Sequence, residues 1–191
     1  MKQKIYSTVI EGIDLNKLAE QSKKINTKVN NALFDKPQNY KIDKNTPFGT
    51  RVADFYNIFC YPSAELNLLF NAIKKFFYSS PIDKTKIYYM QGWINLYQKG
   101  QNLNWHRHWG KDNSYHGFFC VNSNISYTEY KFLDGEIIKI NSQDGLLVFS
   151  NSNNNFHRTS PCESDIPRIT IAFDIHPHDD INKETNSWVP L

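Results

Sequence analysis

A series of short apolar segments, separated by turn residues, fills the C-terminal half of the sequence and limits the folds open to it. These strand-like segments comprise residues 87–97, 117–121, 136–140, 146–149 and 169–175. Between them lie the turn signals Lys99-Gly100, Asp134-Gly135, Asp144-Gly145 and the Asn-rich run 151–155. Many short strands joined by such turns are typical of a sandwich or a jelly roll. The pattern therefore predicts a mainly β core over residues 86–176.

The first 85 residues have a different pattern, and we expect them to form a layer of helices and loops that supports this core. Residues 4–10 have the pattern of a strand, and residues 14–25 that of a short helix with Asp14 as its N-cap. The clearest helix is predicted over residues 63–78, where apolar residues recur at helical spacing after a Pro-Ser start.

Two polar stretches complete the chain. Residues 26–57 are rich in Asn, Lys and Pro, and we interpret them as a connecting loop with short strands, a substrate lid being the alternative. Residues 177–191 are predicted to wrap the surface as a polar tail. A chain of 191 residues with these parts is expected to form a single domain, residues 1–191.

Composition narrows the function classes. A hydrophobic content of 40% indicates a globular protein, and a net charge of +3 is compatible with anionic small molecules but too weak to argue for nucleic acid. The three cysteines form no CxxC pair, which argues against a disulfide framework and favours a reducing compartment. Without an apolar leader or a membrane-length segment, the expected location is the cytoplasm, in soluble form.

Two histidines suggest a metal site. In an extended strand, His106 and His108 project to the same face, with Arg107 on the other. Two imidazoles on one face can hold one divalent transition metal, and the later segment offers His157 as a third ligand. The alternative is that His106 and His108 are ordinary surface-strand residues.

Two further pairs carry polar groups into the predicted core. Asn95 and Tyr97 share one face of their strand and, if buried, need partners, which a ligand or cross-strand hydrogen bonds could supply. Arg168 and Thr170 also share a face, and a buried guanidinium is costly without an anion. A ligand carboxylate would satisfy Arg168 in a bidentate manner with help from Thr170. A surface ion pair of Arg168 with Asp165 or Glu163 is the alternative.

The order of these elements resembles the Fe(II)- and 2-oxoglutarate-dependent oxygenases, most closely the prolyl-hydroxylase-like branch. The resemblance covers about the last hundred residues and rests on Tyr97-x-x-Gly100-Gln101, His106-x-His108, the apolar strand 145–149, His157 and Arg168-x-Thr170. The segment containing His106-Arg107-His108-Trp109 and Tyr115-His116-Gly117 is also similar to uncharacterised phage-encoded oxygenases of this superfamily.

The resemblance implies a double-stranded β-helix of the jelly-roll, cupin-like kind. It also implies that Fe(II) is held by His106, by the residue at position 108 and by His157. The co-substrates would be O2 and 2-oxoglutarate, whose far carboxylate would pair with Arg168, helped by Thr170, Tyr97 and Asn95. The implied reaction hydroxylates a substrate that the sequence does not identify, while 2-oxoglutarate is decarboxylated to succinate.

The sequence departs from the family at position 108, which is His where Asp or Glu is usual. A neutral imidazole leaves the metal site more positive than a carboxylate does. Asp112 in the following loop is an alternative source of the carboxylate. A three-His dioxygenase of the cupin type, which does not use 2-oxoglutarate, is therefore an alternative function, and a non-catalytic jelly-roll binding protein is another.

Other residues near the predicted metal remain open. His116 shares its face with Phe118 and would contact the co-substrate or substrate, or form a structural hydrogen bond. The cluster from His176 to Asp180 lies beyond the last predicted strand and is interpreted as a solvated tail. We expect Trp105, Arg107, Trp109 and residues 111–115 either to select the substrate or to pack on the N-terminal layer.

Overall fold

A computed structural model describes residues 4–33, 46–108, 111–181 and 188–191. Two antiparallel sheets face each other. The strands of the larger sheet, in spatial order, are β1 (Ile5–Val9), β6 (Leu146–Asn151), β3 (Tyr115–Asn122), β8 (Arg168–Pro177), β2 (Tyr88–Tyr97) and β9 (Val189–Pro190). Those of the smaller sheet are β5 (Ile137–Asn141), β4 (Tyr127–Phe132) and β7 (Asn155–Thr159). The prediction of a mainly β core is confirmed.

The helices cover one face of the larger sheet. They are α1 (Leu15–Leu33), the four-residue α2 (Phe48–Arg51) and α3 (Ala64–Ser79). Helix α3 begins where the Ser63 hydroxyl accepts the Leu66 amide hydrogen at 3.3 Å. Its apolar stripe, represented by Leu69 and Phe77, is fully buried against strand residues such as Phe149. This packing leaves the opposite face of the sheet available for polar side chains.

The smaller sheet is extended by the segment that carries the first histidines. Residue His106 forms an isolated antiparallel bridge with His157 of β7. Further along, the Thr159 amide donates to the Leu103 carbonyl at 3.0 Å, and the Cys162 amide to the Gln101 carbonyl at 3.0 Å. Residues 101–106 thus run antiparallel beside β7, although only the bridge at His106 has regular strand pairing.

Several sequence-based boundaries need correction. Helix α1 runs to Leu33 instead of ending at residue 25, and residues 48–51 form α2, so the interpretation of residues 26–57 as loop and short strands is wrong at residues 26–33 and 48–51. Residues 34–45 of that stretch lie outside the described residues. The sequence analysis does not predict β4 and β7, which are short and rich in polar residues, or β9, which has only two residues.

The end of the chain also differs from the prediction. Strand β8 continues to Pro177, so His176 is a strand residue with 1% of its surface exposed and not part of a solvated tail. Beyond it, β9 pairs with β2 and extends the larger sheet at its edge. At the other end, β1 pairs with β6 and belongs to the same sheet. The larger sheet therefore includes strands from both the predicted N-terminal layer, residues 1–85, and the predicted tail, residues 177–191.

Within the described part of the chain, every helix is too short or too polar to traverse a bilayer.

Gly117 in the middle of β3 lies against backbone and aromatic neighbours, and its replacement tests this packing. A Cβ at this position would overlap the Val148 carbonyl oxygen and the Phe173 ring. We expect Gly117→Ala to lower the free energy of unfolding by about 1–3 kcal/mol, the usual cost of overpacking. Urea unfolding followed by circular dichroism measures it. The exposed Lys131→Ala on β4 is the control and should stay within about 0.5 kcal/mol of wild type; equal effects of the two changes would contradict the packing argument.

Candidate active site

A cavity of about 300 Å³ lies between the two sheets. Strands β2, β3 and β8 supply one wall, and β7 with the segment 103–108 supplies the other. Alternation along β2 places Trp93, Asn95 and Tyr97 on the cavity side, as predicted from their shared parity. All of the sequence-predicted site residues line this cavity, namely Asn95, Tyr97, His106, His108, His116, His157, Arg168 and Thr170.

Three imidazoles meet in this cavity. One ring nitrogen from each of His106, His108 and His157 lies within 4.8 Å of the others. Backbone pairing fixes two of the three, because the His106 amide donates to the His157 carbonyl at 3.0 Å and the His157 amide returns a bond at 2.9 Å. Their ring centroids are 4.2 Å apart. The histidines predicted from two separate segments are therefore brought together by one β-bridge.

Hydrogen bonds determine which nitrogen of two rings is available. His106 Nδ1 lies 2.7 Å from the Asn104 carbonyl oxygen, and His108 Nδ1 lies 2.5 Å from Asp174 Oδ1. Both oxygens act as acceptors, so each Nδ1 carries the proton and each Nε2 keeps its lone pair in the neutral ring. His157 Nδ1 is buried and has no hydrogen-bond partner among the described residues.

The donor set fits a divalent transition metal. Burial, followed by the nearby His108, lowers the pKa of His106 to about 4. Burial also lowers the pKa of His157 well below its ordinary value, with the neighbouring His106 as the next cause. These rings are therefore neutral near pH 7, which is the form that binds metals. Imidazole nitrogen suits iron, zinc, copper and nickel alike.

His116 stands beside the cluster without joining it. It lies on β3, and its ring stacks on His157 with a centroid distance of 4.5 Å and an interplanar angle of 9°. Its Nδ1 lies 3.2 Å from the Ser152 hydroxyl, while its buried Nε2 has no partner within the described structure. Burial lowers the pKa of His116, so the ring is neutral. The structural hydrogen bond is therefore present at one nitrogen, and contact of the other with a co-substrate or substrate stays a prediction.

Arg168, at the start of β8, is buried in the same cavity with 2% of its surface exposed. Its guanidinium carbon lies 3.8 Å from the centre of the Tyr97 ring, and Nη1 donates to the Ser160 carbonyl at 3.3 Å. Nε and Nη2 are buried and lack partners among the residues described. The alternative of a surface pair with Asp165 or Glu163 is wrong, because Arg168 is buried and forms no ion pair with either carboxylate within the described structure.

Thr170 and Asn95 lie opposite each other on β8 and β2, next to the pair of Arg168 and Tyr97. The Thr50 hydroxyl of α2 donates to the Asn95 side-chain oxygen, so this amide is satisfied internally on one side. Tyr97 contributes the face of its ring to Arg168. These contacts form a polar lining that leads from the arginine along the cavity.

The remaining sequence candidates lie outside this cluster or beside it. Asp112 is exposed and accepts a hydrogen bond from Asn153 at 3.0 Å, so it does not join the three histidines. Arg107 lines the cavity, with its guanidinium 5.7 Å from the Phe156 ring centre. Trp105 is 38% exposed, and the Arg158 guanidinium carbon lies 4.8 Å from the centre of its ring. Trp109 lies outside the described residues.

Sequence reasoning missed several residues of the cavity, among them Asp174, Thr50 and Asp54. Asp174 shares its strand face with Arg168 and Thr170, so the same alternation that found those two could have found it. Thr50 and Asp54 come from the stretch interpreted as loop, where four helical residues give no periodic signal. Among the described cavity residues, Asp54 and Asp174 are the carboxylates.

Solved structures with the same fold span most of this chain. A prolyl hydroxylase from Trichoplax adhaerens, in complex with a hypoxia inducible factor oxygen degradation domain peptide fragment, matches at TM-score 0.61 and 10% identity. The match covers 91% of this chain and 84% of that one. A prolyl-4-hydroxylase from Pseudomonas putida matches at TM-score 0.58 and 11% identity, and the match covers 90% of this chain and 86% of that one. AviO1 from Streptomyces viridochromogenes Tue57 matches at TM-score 0.57 and 10% identity, and the match covers 90% of this chain and 89% of that one.

These likenesses concern the fold. They confirm the predicted double-stranded β-helix and, at the level of the fold, the predicted similarity to the prolyl-hydroxylase-like branch. No protein-family model matches the sequence, and no curated protein matches it either. The similarity to phage-encoded oxygenases stays a prediction.

Proposed function

We propose that this protein is a non-haem Fe(II)- and 2-oxoglutarate-dependent oxygenase that hydroxylates a substrate still to be identified. The observation that carries the proposal is the pairing of two features within one cavity. A cluster of three imidazoles stands beside a buried arginine whose Nε and Nη2 have no partner among the described residues. The solved structures support it, since they include an epimerase and a carbocyclase described as α-ketoglutarate dependent.

His106, His108 and His157 would hold the iron. The unpartnered buried nitrogen of His157 fits this role, because a buried polar atom without a partner is costly unless a bound group satisfies it. The backbone bridge between His106 and His157 sets the spacing of two ligands before any metal binds. When bound together, Fe(II) and 2-oxoglutarate supply the activation of O2 that couples decarboxylation to succinate with hydroxylation of a C–H bond.

Arg168 would bind the far carboxylate of 2-oxoglutarate. A buried guanidinium that makes one hydrogen bond and stacks on one tyrosine has an uncompensated charge and free donors in fork geometry. A carboxylate accepts both donors at once, which is stronger and more directional than a contact with a single point charge. Thr170, beside it on β8, is placed to add a hydroxyl contact, and Tyr97 keeps the guanidinium plane in position.

Three further groups would shape the rest of the cavity. Asn95, held by the Thr50 hydroxyl, presents its amide from β2 beside Thr170. His116 keeps an unpartnered Nε2 that can bond to co-substrate or substrate. Trp93 stacks near His108 with ring centroids 5.8 Å apart and limits the water around that side of the cluster.

A three-His dioxygenase that does not use 2-oxoglutarate is the second candidate, favoured by the all-imidazole ligand set. Such an enzyme has no need of a buried arginine lacking an anion, so Arg168 argues for the first candidate.

Anaerobic optical titration separates these functions. We expect Fe(II) and 2-oxoglutarate added together to produce a visible metal-to-ligand charge-transfer band that neither gives alone. Iron uptake without the band would instead support the second candidate. Failure to take up iron would support a non-catalytic jelly-roll protein. Succinate release across a panel of small molecules and peptides would then identify the substrate class.

A further inference from the structure

Asp174 places a carboxylate in contact with one of the three clustered imidazoles. Position 108 is His, and the candidate metal-binding cluster found among the described residues consists of three histidines without a carboxylate. Asp174 approaches from β8, on the opposite sheet from His157, and its Oδ1 lies 2.5 Å from His108 Nδ1. The negative charge is therefore held against the back of an imidazole, not within the cluster itself.

The surroundings of His108 leave little freedom for its ring. It stacks on His116 with centroids 4.7 Å apart and an interplanar angle of 19°. It also stacks on His157 with centroids 5.0 Å apart and on Trp93 with centroids 5.8 Å apart. His108 has 11% and Asp174 19% of its side-chain surface exposed, so the pair is largely shielded from water. Stacking fixes the ring plane, and the carboxylate fixes which edge of the ring faces the cavity.

Asp174 is itself held in register. It lies directly opposite Gln91 on β2 and opposite His116 on β3, in the middle of three paired strands. A central strand of this kind leaves its side chains little room to drift. Asp54 offers a comparison, because it lines the same cavity from the N-terminal layer, is exposed and has no such imidazole partner.

We infer that Asp174 is the positioning residue for His108, holding the proton on Nδ1 so that Nε2 is the metal-binding atom. This inference rests on the proposed metal site. A carboxylate behind a ligating imidazole fixes the tautomer, orients the ring and raises its basicity. The arrangement supplies through His108 part of the negative charge that an aspartate at position 108 would supply directly.

Metal affinity of the apoprotein tests this without involving 2-oxoglutarate or turnover. Co(II) serves as the probe, titrated anaerobically with its visible absorption as readout. Asp174→Asn keeps the size of the side chain and removes the charge, and should weaken Co(II) binding by about 10- to 100-fold. Asp54→Asn is the matched control and should change it less than about 2-fold, well below that range. In the His108→Ala background, adding Asp174→Asn should have no further effect.

Two results would overturn the inference and leave the proposed function in place. One is tight Co(II) binding by wild type with equal binding by Asp174→Asn. The other is a loss on Asp174→Asn that persists in the His108→Ala background, which would mean that Asp174 acts through the fold. Should Asp174→Asn fail to fold, nitrogen-15 NMR of the wild-type apoprotein decides. His108 protonated on Nδ1 supports the inference, and protonation on Nε2 alone overturns it.

Discussion

Replacing His157 with alanine should remove measurable Fe(II) binding. His157 is buried on β7, its backbone is bridged to His106, and its Nδ1 has no partner within the described structure. Removing a metal ligand should cost more than losing an outer-shell partner, so we expect a fall in affinity of more than about 100-fold. Anaerobic titration of the apoprotein with Fe(II) measures this. The charge-transfer band with 2-oxoglutarate should disappear with the iron.

His178→Ala provides the control for this experiment. His178 is exposed after β8 and lies against Tyr89, with ring centroids 5.6 Å apart, away from the three imidazoles. Its removal should leave Fe(II) affinity unchanged. If His157→Ala bound iron as tightly as His178→Ala does, His157 would not be a ligand.

Replacing Arg168 with alanine should separate the two cofactors, since iron binding should survive while 2-oxoglutarate binding is lost. Truncating one partner of a buried, hydrogen-bonded charge pair costs about 2–5 kcal/mol, which raises the dissociation constant of 2-oxoglutarate at least about 30-fold. The charge-transfer band, titrated with 2-oxoglutarate at saturating Fe(II), measures this constant. Arg168→Lys should fall between wild type and alanine, because an ammonium keeps the charge but not the fork.

Arg158→Ala is the comparison for Arg168. Arg158 is exposed, pairs with Glu129 at 2.6 Å and stacks on Trp105 outside the cavity. Its loss should leave 2-oxoglutarate affinity unaltered. Equal affinity in wild type and Arg168→Ala would remove the assignment of Arg168 as the carboxylate-binding residue.

Strand parity predicted much of the site. His106 with His108, and Arg168 with Thr170, were paired from two-residue spacing, and all four line the cavity. The same alternation extends to Asp174, four residues after Thr170 on the same strand face. Strand parity does not predict which segments lie next to each other. The bridge between His106 and His157 depends on the path of the chain between them, which the alternation within a strand does not reveal.

Elements outside the large sheet were harder to predict. Strand β4 alternates between buried Thr128, Tyr130 and Phe132 and more exposed neighbours, so a period of two is present, but its apolar residues are few. Strand β7 directly follows a run of asparagines and begins with one itself, so its sequence resembles a loop. Helix α1 continues past residue 25 because Val29 extends its apolar side, although lysine and asparagine dominate that stretch.

The reciprocal amide bonds between His106 and His157 have a consequence for how the protein could be altered. Because this pairing sets the distance between the two main chains, any change that parts residues 101–106 from β7 also moves the two rings apart. Substitutions that strengthen or weaken the pairing of residues 101–106 with β7 would therefore change the distance between the proposed metal ligands. At the proposed metal site, bracing this contact would strengthen cation binding and loosening it would weaken cation binding, without replacing any of the three histidines.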